Sequence, residues 1–215
     1  ALALDLGRRS GAELVMGTDP DSDRLGIAAR RGDDFELITG NQLGALLLDY
    51  VLTTRAELGI MPPRPVVIKT IVTTELHRRI AEAHGALCID TLTGFKYMGE
   101  KIRQFEAQPD GPSYVFGSEE SYGYLIGTHV RDKDAVTAAV VTVEMALYHR
   151  SRGLGVLGAL EEIYGKYGYY EEIGISRAFP GQQGMTVMAA LMDRLRREPP
   201  AEWAGESVVE QRDFR

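Results

Sequence analysis

The chain has 215 residues, 44% of them hydrophobic and 26% charged, with a net charge of −7 at neutral pH. That is ordinary for a globular protein with one large core or two modest ones. The acidic balance excludes a broad nucleic-acid surface, which needs a basic stretch to displace counterions from a phosphate backbone. A single cysteine, Cys88 between Leu87 and Ile89, excludes an internal disulfide framework and reads as a buried strand thiol. The longest apolar run, 135–147, is too short to span a membrane and carries Glu144, while Asp5, Arg8 and Arg9 interrupt any signal-peptide reading. The expectation is a cytoplasmic protein without nucleic-acid or membrane partners.

Short β-rich runs alternate with helical periods, which predicts an α/β fold. Strands are expected at 13–16, 25–29 and 35–38, then a helix from Asn41 to near Gly59 with Leu43, Leu46, Leu47, Tyr50 and Val51 on one face. After the stiff 61–65 connector, 66–72 reads as a buried parallel strand. Thr74 caps a helix that Gly85 ends. A strand at 87–90 and a helix with Phe95, Met98, Ile102 and Phe105 inward come next. Strands at 113–116 and 124–126 lead to a long helix opened by Asp132 or Asp134 and running to about Arg150, and to another over 156–167. Beyond Gly168 the pattern predicts a strand at 172–178 and a helix with Met188, Leu191, Met192 and Leu195 inward, ending at Pro199. The organisation so read is one complete mixed α/β domain at 41–167, flanked by partial domains at 1–40 and 168–215.

The chemistry concentrates in Gly17-Thr18-Asp19-Pro20-Asp21-Ser22-Asp23-Arg24. The glycine and proline argue for a tight loop that folds three alternate carboxylates around one point. Such a set calls for a hard cation, Mg²⁺ or Ca²⁺. It is not an EF-hand, because Arg24 and Arg30 stand where that loop needs its glycine and its glutamate. An arginine against the cluster suits a phosphate, whose oxygens its fork binds bidentately.

Together with Thr91-Leu92-Thr93-Gly94-Phe95-Lys96, Gly117-Ser118-Glu119-Glu120-Ser121-Tyr122-Gly123-Tyr124 and Arg131-Asp132-Lys133-Asp134, this loop resembles the α-D-phosphohexomutases, the phosphoglucomutase and phosphomannomutase superfamily. The motifs stand in that family's order over about 17–136, and their spelling looks closest to the phosphoglucomutase and phosphopentomutase branch. The resemblance implies phosphoryl transfer between two hydroxyls of one sugar through a phosphorylated serine, with glucose 1-phosphate and glucose 6-phosphate as the pair. It implies Mg²⁺ on Asp19, Asp21 and Asp23, Arg24 against the enzyme phosphate, and Glu119 and Ser121 reading sugar hydroxyls, with Glu120 pointing away. It further implies Thr93, Gly94, Phe95 and Lys96 in a specificity loop, Phe95 serving equally well as plain core. Lys133 would meet the substrate phosphate or move a proton, and glucose 1,6-bisphosphate would be activator and intermediate.

Two departures qualify the resemblance. Some phosphomannomutase-like members carry a histidine two residues after the sugar-binding serine, where this chain has Gly123. His77, His84 and His149 read as structural or solvent-facing within helices, and His129 matches no motif, which leaves Lys133 as the candidate acid or base. None of the serines stands in the family's Thr-Ala-Ser-His-Asn-Pro-like context, and its Arg-x-Ser-Gly-Thr-type phosphate loop is absent. The chain therefore reads as the central portion of a longer enzyme, inactive alone and partnered by the other domains of its parent. Alternatives are a phosphomannomutase, phosphopentomutase or sugar-bisphosphate synthase of the same superfamily. More distant ones are a dehalogenase-like Mg²⁺ phosphatase, for which Leu14, Val15 and Met16 supply part of the required strand, and a non-catalytic sugar-phosphate-binding module.

Overall fold

The computed structural model describes residues 2–174 and 177–214. Residues 1–171 form one compact unit and 172–215 a second. The first opens with helix α1 (Leu2–Ser10), absent from the sequence reading, and an antiparallel sheet of β1 (Leu14–Thr18), β2 (Leu25–Arg31) and β3 (Asp34–Ile38). Helix α2 (Gly40–Glu57) begins at Thr39, whose hydroxyl accepts from the Gln42 N–H while the Gln42 side chain answers the Thr39 N–H, a reciprocal cap.

The central sheet runs in the order β5 (Leu87–Thr91), β4 (Pro65–Thr70), β6 (Ser113–Glu119), β7 (Gly123–Ile126). β4 lies parallel to β5 and β6, and β7 returns antiparallel to β6. Helices α3 (Leu76–Ala83) and α4 (Phe95–Glu106) make the two crossovers, and α5 (Ala135–Ser151) and α6 (Val156–Tyr167) complete the unit. Alternation along β4 divides the packing. Val66 and Ile68 face α4 through Phe95, Met98 and Ile102. Val67 faces a larger core with Leu43, Leu46 and Leu47 of α2, Ile80 of α3, Met145 of α5 and Ile163 of α6. α2 is buried nearly all round, Leu48 and Leu52 included, while Tyr50 is only partly covered.

The packing runs across residue 40. Leu25, Ile27, Ala29 and Ile38 belong to the larger core, so the three-stranded sheet shares the interior of the unit that follows. Tyr167 and Tyr170 pack against it as well, inside the compact unit that runs to residue 171. In the second unit no strand occupies 172–174 or 177–178, and Ile175 and Ser176 of the expected strand lie outside the described residues. The expected helix forms as α7 (Gly181–Arg197), yet Met188, Leu191 and Met192 are exposed rather than inward. A single helix with the two-residue strands β8 (Glu202–Trp203) and β9 (Glu206–Ser207) has no layer of its own to bury that stripe against. No described helix is long and apolar enough to cross a membrane.

One buried polar chain braces the interior. His77 of α3 is fully buried; its Nδ1 meets the Ser118 hydroxyl at 3.1 Å and its Nε2 the Asn41 carbonyl at 3.2 Å. A carbonyl only accepts, so Nε2 carries the proton and Ser118 donates to Nδ1. Burial pushes the imidazole down to about 4, against the opposing pull of the Asn41 carbonyl. The unfolded chain takes up this proton near 6.5 and the folded one only near 4, so stability from neutral His77 is whole above pH 6.5 and is lost as pH falls toward 4. Lowering pH from 7 to 5 should cost about 2 kcal/mol through this group. Urea unfolding at both pH values, with His77→Gln as the non-titrating control, checks it: the variant should show a shallower loss.

Candidate functional site

The Asp-rich loop leaves the end of β1. Asp19 Oδ1 accepts from the backbone N–H groups of Asp23 at 3.2 Å and Arg24 at 3.1 Å, which curls the loop around the first carboxylate. One ligand oxygen from each of Asp19, Asp21 and Asp23 then lies within 4.8 Å of the others. Burial pushes the Asp19 carboxyl up, but the N–H groups of Arg24 and Asp23 outweigh it and hold it below its ordinary value. Asp23 Oδ1 is shielded from solvent and accepts no hydrogen bond among the described residues, with Arg24 Nε at 3.9 Å. A shielded carboxylate oxygen lacking a donor, beside two further carboxylates, is a donor set suited to a hard cation such as Mg²⁺.

The other Asp23 oxygen meets Lys133 Nζ at 2.8 Å. Lys133 also pairs with Asp132 at 3.2 Å, and its ammonium lies 5.6 Å from the centre of the Phe95 ring. Burial alone would lower this ammonium; the Asp23 and Asp132 carboxylates outweigh it and hold it above its ordinary value. In this arrangement Lys133 is a fixed cation and a poor proton shuttle near neutrality. Its stem passes where a side chain at position 123 would stand. A Cβ on Gly123 would lie 2.7 Å from Lys133 Cδ and 3.1 Å from Phe95 Cε2.

Glu119 ends β6 and is buried. Its Oε1 accepts the Gly94 N–H at 2.8 Å, and Gly94 adopts φ 122°, a conformation that side chains disfavour. Burial raises the Glu119 carboxyl; the Gly94 N–H and the charges of Lys133 and Arg24 pull the other way without cancelling it. Glu120 turns elsewhere, its Oε2 3.1 Å from the Thr70 hydroxyl. Backbone bonds join this turn to the Asp loop. The Leu25 N–H donates to the Tyr122 carbonyl at 3.0 Å, Arg24 bridges Gly123, and the Ala135 N–H donates to the Ser22 carbonyl at 3.2 Å. Ser22 and Tyr122 both hold left-handed conformations, φ 57° and 68°, at a cost of roughly 1–2 kcal/mol each.

These contacts gather Asp19, Asp21, Asp23, Arg24, Gly94, Phe95, Glu119 and Lys133 in one place, with Ser121 half-buried in the turn beside Glu119. Phe95 is a core residue whose ring supports Lys133, while Thr93 and Lys96 are exposed on either side of Gly94 and Phe95. No histidine enters the cluster. His77 and His149 are buried, His84 bonds the Tyr167 hydroxyl at 3.2 Å, and His129 reaches Asp134, the cap of α5. The second acidic pair that a dehalogenase-like site needs does not join the three aspartates among the described residues.

Lys69 escaped the sequence reading. It is fully buried at the end of β4, paired with Glu75 at 2.9 Å and Asp90 at 3.1 Å, and Arg78 braces both acids. The signal was a lysine inside the apolar run 66–72, a place where charge survives only when paired.

The chain belongs to the phosphoglucomutase/phosphomannomutase family: residues 39–164 match its alpha/beta/alpha domain III. A phosphoglucomutase of Staphylococcus haemolyticus (strain JCSC1435) is 36% identical over 99% of this chain, which spans 38% of that relative's length. Among solved structures, a phosphoglucomutase/phosphomannomutase family protein of Burkholderia thailandensis superposes with a TM-score of 0.61 at 18% identity, over 96% of this chain and 38% of that one. The N-acetylphosphoglucosamine mutase of Aspergillus fumigatus, solved with GlcNAc-6P and magnesium, gives 0.50 at 15% identity, over 77% and 36%. The last two likenesses concern the fold.

Titrating Mg²⁺ into the chain should shift the backbone amide signals of Asp19 and of residues 21–24, and Asp21→Asn should weaken that binding about tenfold by removing one anionic ligand. Unchanged titration of the variant would remove Asp21 from the site.

Proposed function

We propose that this chain is the metal-binding and sugar-reading portion of an intramolecular phosphotransferase that interconverts glucose 1-phosphate and glucose 6-phosphate. The observation that carries the reading is the junction of two separate motifs. The Asp19–Asp21–Asp23 cluster and the Glu119 turn are held together by the Leu25–Tyr122 hydrogen bond and the Arg24–Gly123 bridge, with Lys133 paired to Asp23 alongside. The phosphoglucomutase relative, similar along the whole chain, supports glucose as the sugar. The domain assignment follows the same reading: 1–40 as the end of a second domain, 41–167 as domain III, and 168–215 as the start of a fourth.

Asp19, Asp21 and Asp23 would hold Mg²⁺, whose charge supports a phosphoryl group on the enzyme's serine, itself supplied by the rest of the parent. Magnesium in the Aspergillus relative's structure is in keeping with this. Arg24 keeps its side chain half exposed beside Asp23, with its fork available to phosphate oxygens. Lys133, held cationic by its carboxylate partners, adds a point charge for the transferring group. The buried Glu119 carboxylate, with one oxygen anchored on Gly94, accepts sugar hydroxyls, and Ser121 both gives and accepts. Glucose 1,6-bisphosphate is the species expected to pass between the two half-transfers and to prime the serine, and the cytoplasm is the compartment that sugar-phosphate chemistry implies.

A coupled assay for glucose 6-phosphate, run on the full-length parent with Mg²⁺ and glucose 1,6-bisphosphate, tests the reading. Glu119→Ala should lower kcat/KM by about 2–4 kcal/mol through lost charge-assisted sugar contacts. An inactive parent would leave a non-catalytic binding module. Preference for mannose or ribose phosphates would move the protein to another branch of the family.

A further inference from the structure

Glu120 stands between the two proposed sugar readers, and its carboxylate is anchored from beneath by a buried turn at the end of β4. The Thr73 N–H donates to the Thr70 carbonyl at 3.0 Å, closing that turn. Lys69 Nζ donates to the Thr73 carbonyl at 3.0 Å and reaches the Thr70 carbonyl at 3.4 Å, so the ion cluster around Lys69 fixes the turn from below. Both hydroxyls are buried and approach Glu120 Oε2, Thr70 at 3.1 Å and Thr73 at 3.4 Å, while lying 2.7 Å from each other. Two hydroxyl protons cannot serve three such contacts. The two shorter separations give an ordered relay in which Thr73 donates to Thr70 and Thr70 donates to the Glu120 carboxylate.

We infer that Thr70, backed by Thr73 and Lys69, is a positioning residue for substrate binding. By holding Glu120 toward β4 it fixes the turn in which Glu119 reaches Gly94 and Ser121 follows. This deepens the proposed function and rests on it for the identity of the sugar. The turn needs such an anchor because Tyr122 is left-handed, a conformation that persists only when the surroundings over-determine it. A carboxylate facing solvent would supply no such hold. A carboxylate receiving a charge-assisted bond from a buried hydroxyl does.

The relay predicts an unequal pair of variants. Thr70→Val removes the nearer donor to Glu120 and leaves only the Thr73 hydroxyl at 3.4 Å, while Thr73→Val keeps the nearer donor in place. In the full-length enzyme, Thr70→Val should raise KM for glucose 1-phosphate about tenfold with kcat little changed, the loss of one hydrogen bond to a charged group. Thr73→Val should stay within about twofold, Thr70→Ser should match the parent, and Glu120→Ala should reproduce Thr70→Val even where a buried valine hinders folding. On the 215-residue chain, amide hydrogen exchange at Glu119–Gly123 should quicken in Thr70→Val and Glu120→Ala by more than any shift of the urea midpoint accounts for. Unchanged exchange and KM in both would overturn the inference. So would equal damage from Thr70→Val and Thr73→Val in step with lost stability, which marks plain structural support. If the unmodified full-length enzyme converts no glucose 1-phosphate, the functional reading fails by itself, and the exchange measurements still decide whether the relay holds the turn.

Discussion

Three carboxylates brought within 4.8 Å of one another repel, and the rest of this site follows from how that repulsion is managed. Part of the answer is local, in the backbone N–H groups that Asp19 draws around itself. The larger part is Lys133, which arrives from the far end of the β7–α5 connection to meet Asp23 at 2.8 Å. Asp134 caps α5 by accepting the Val136 N–H at 2.9 Å, which fixes where the segment carrying Lys133 ends. The Ala135 N–H then reaches back to the Ser22 carbonyl inside the Asp loop. One lysine thus offsets the cluster's charge while its helix start clamps the cluster's backbone.

A cation arriving at the aspartates would change this balance. Mg²⁺ brings more charge than an ammonium and would take over the neutralising of Asp23, leaving Lys133 to face whatever anion comes next. Glu119 already feels the charges of both Lys133 and Arg24, the same two cations that stand beside Asp23. Under the proposed function, a sugar phosphate, with its anion and its hydroxyls on one small frame, would find a partner for each here.

Much of this was legible in the sequence because it was written locally. The apolar period of α4, an aspartate at the start of α5 and the turn residues around the three aspartates are short-range signals, and they place elements well. The relations between distant residues were not legible. Nothing in the spelling of Lys69 says that Glu75 and Asp90 will neutralise it, or that Thr70 and Thr73 will face Glu120, because parallel pairing of β4 with β5 and β6 creates those contacts. The same cause explains the boundary at residue 40. The period changes there from strand to helix, while the packing runs on, with the inner face of β2 against α5 and α6. The apolar stripe of α7 misled in the opposite sense: periodicity reports that a face can be buried, not that its own unit contains something to bury it.

Gly123 shows how a departure from a family pattern can be a coupled choice. A side chain there would meet the Lys133 stem at its Cβ, 2.7 Å from Cδ, and the Phe95 ring at 3.1 Å, so no imidazole fits while Lys133 keeps its course to Asp23. Phe95 cannot yield easily, being packed with Ile68, Met98 and Leu125 in the core beneath. Nor can β7, whose Gly123 is held on one edge to Glu119 and on the other to Arg24. A histidine at position 123 and a lysine running over this phenylalanine are therefore competing occupants of one space in this chain. This chain has taken the lysine, which fixes a permanent positive charge against the metal loop in place of a group that titrates near neutrality.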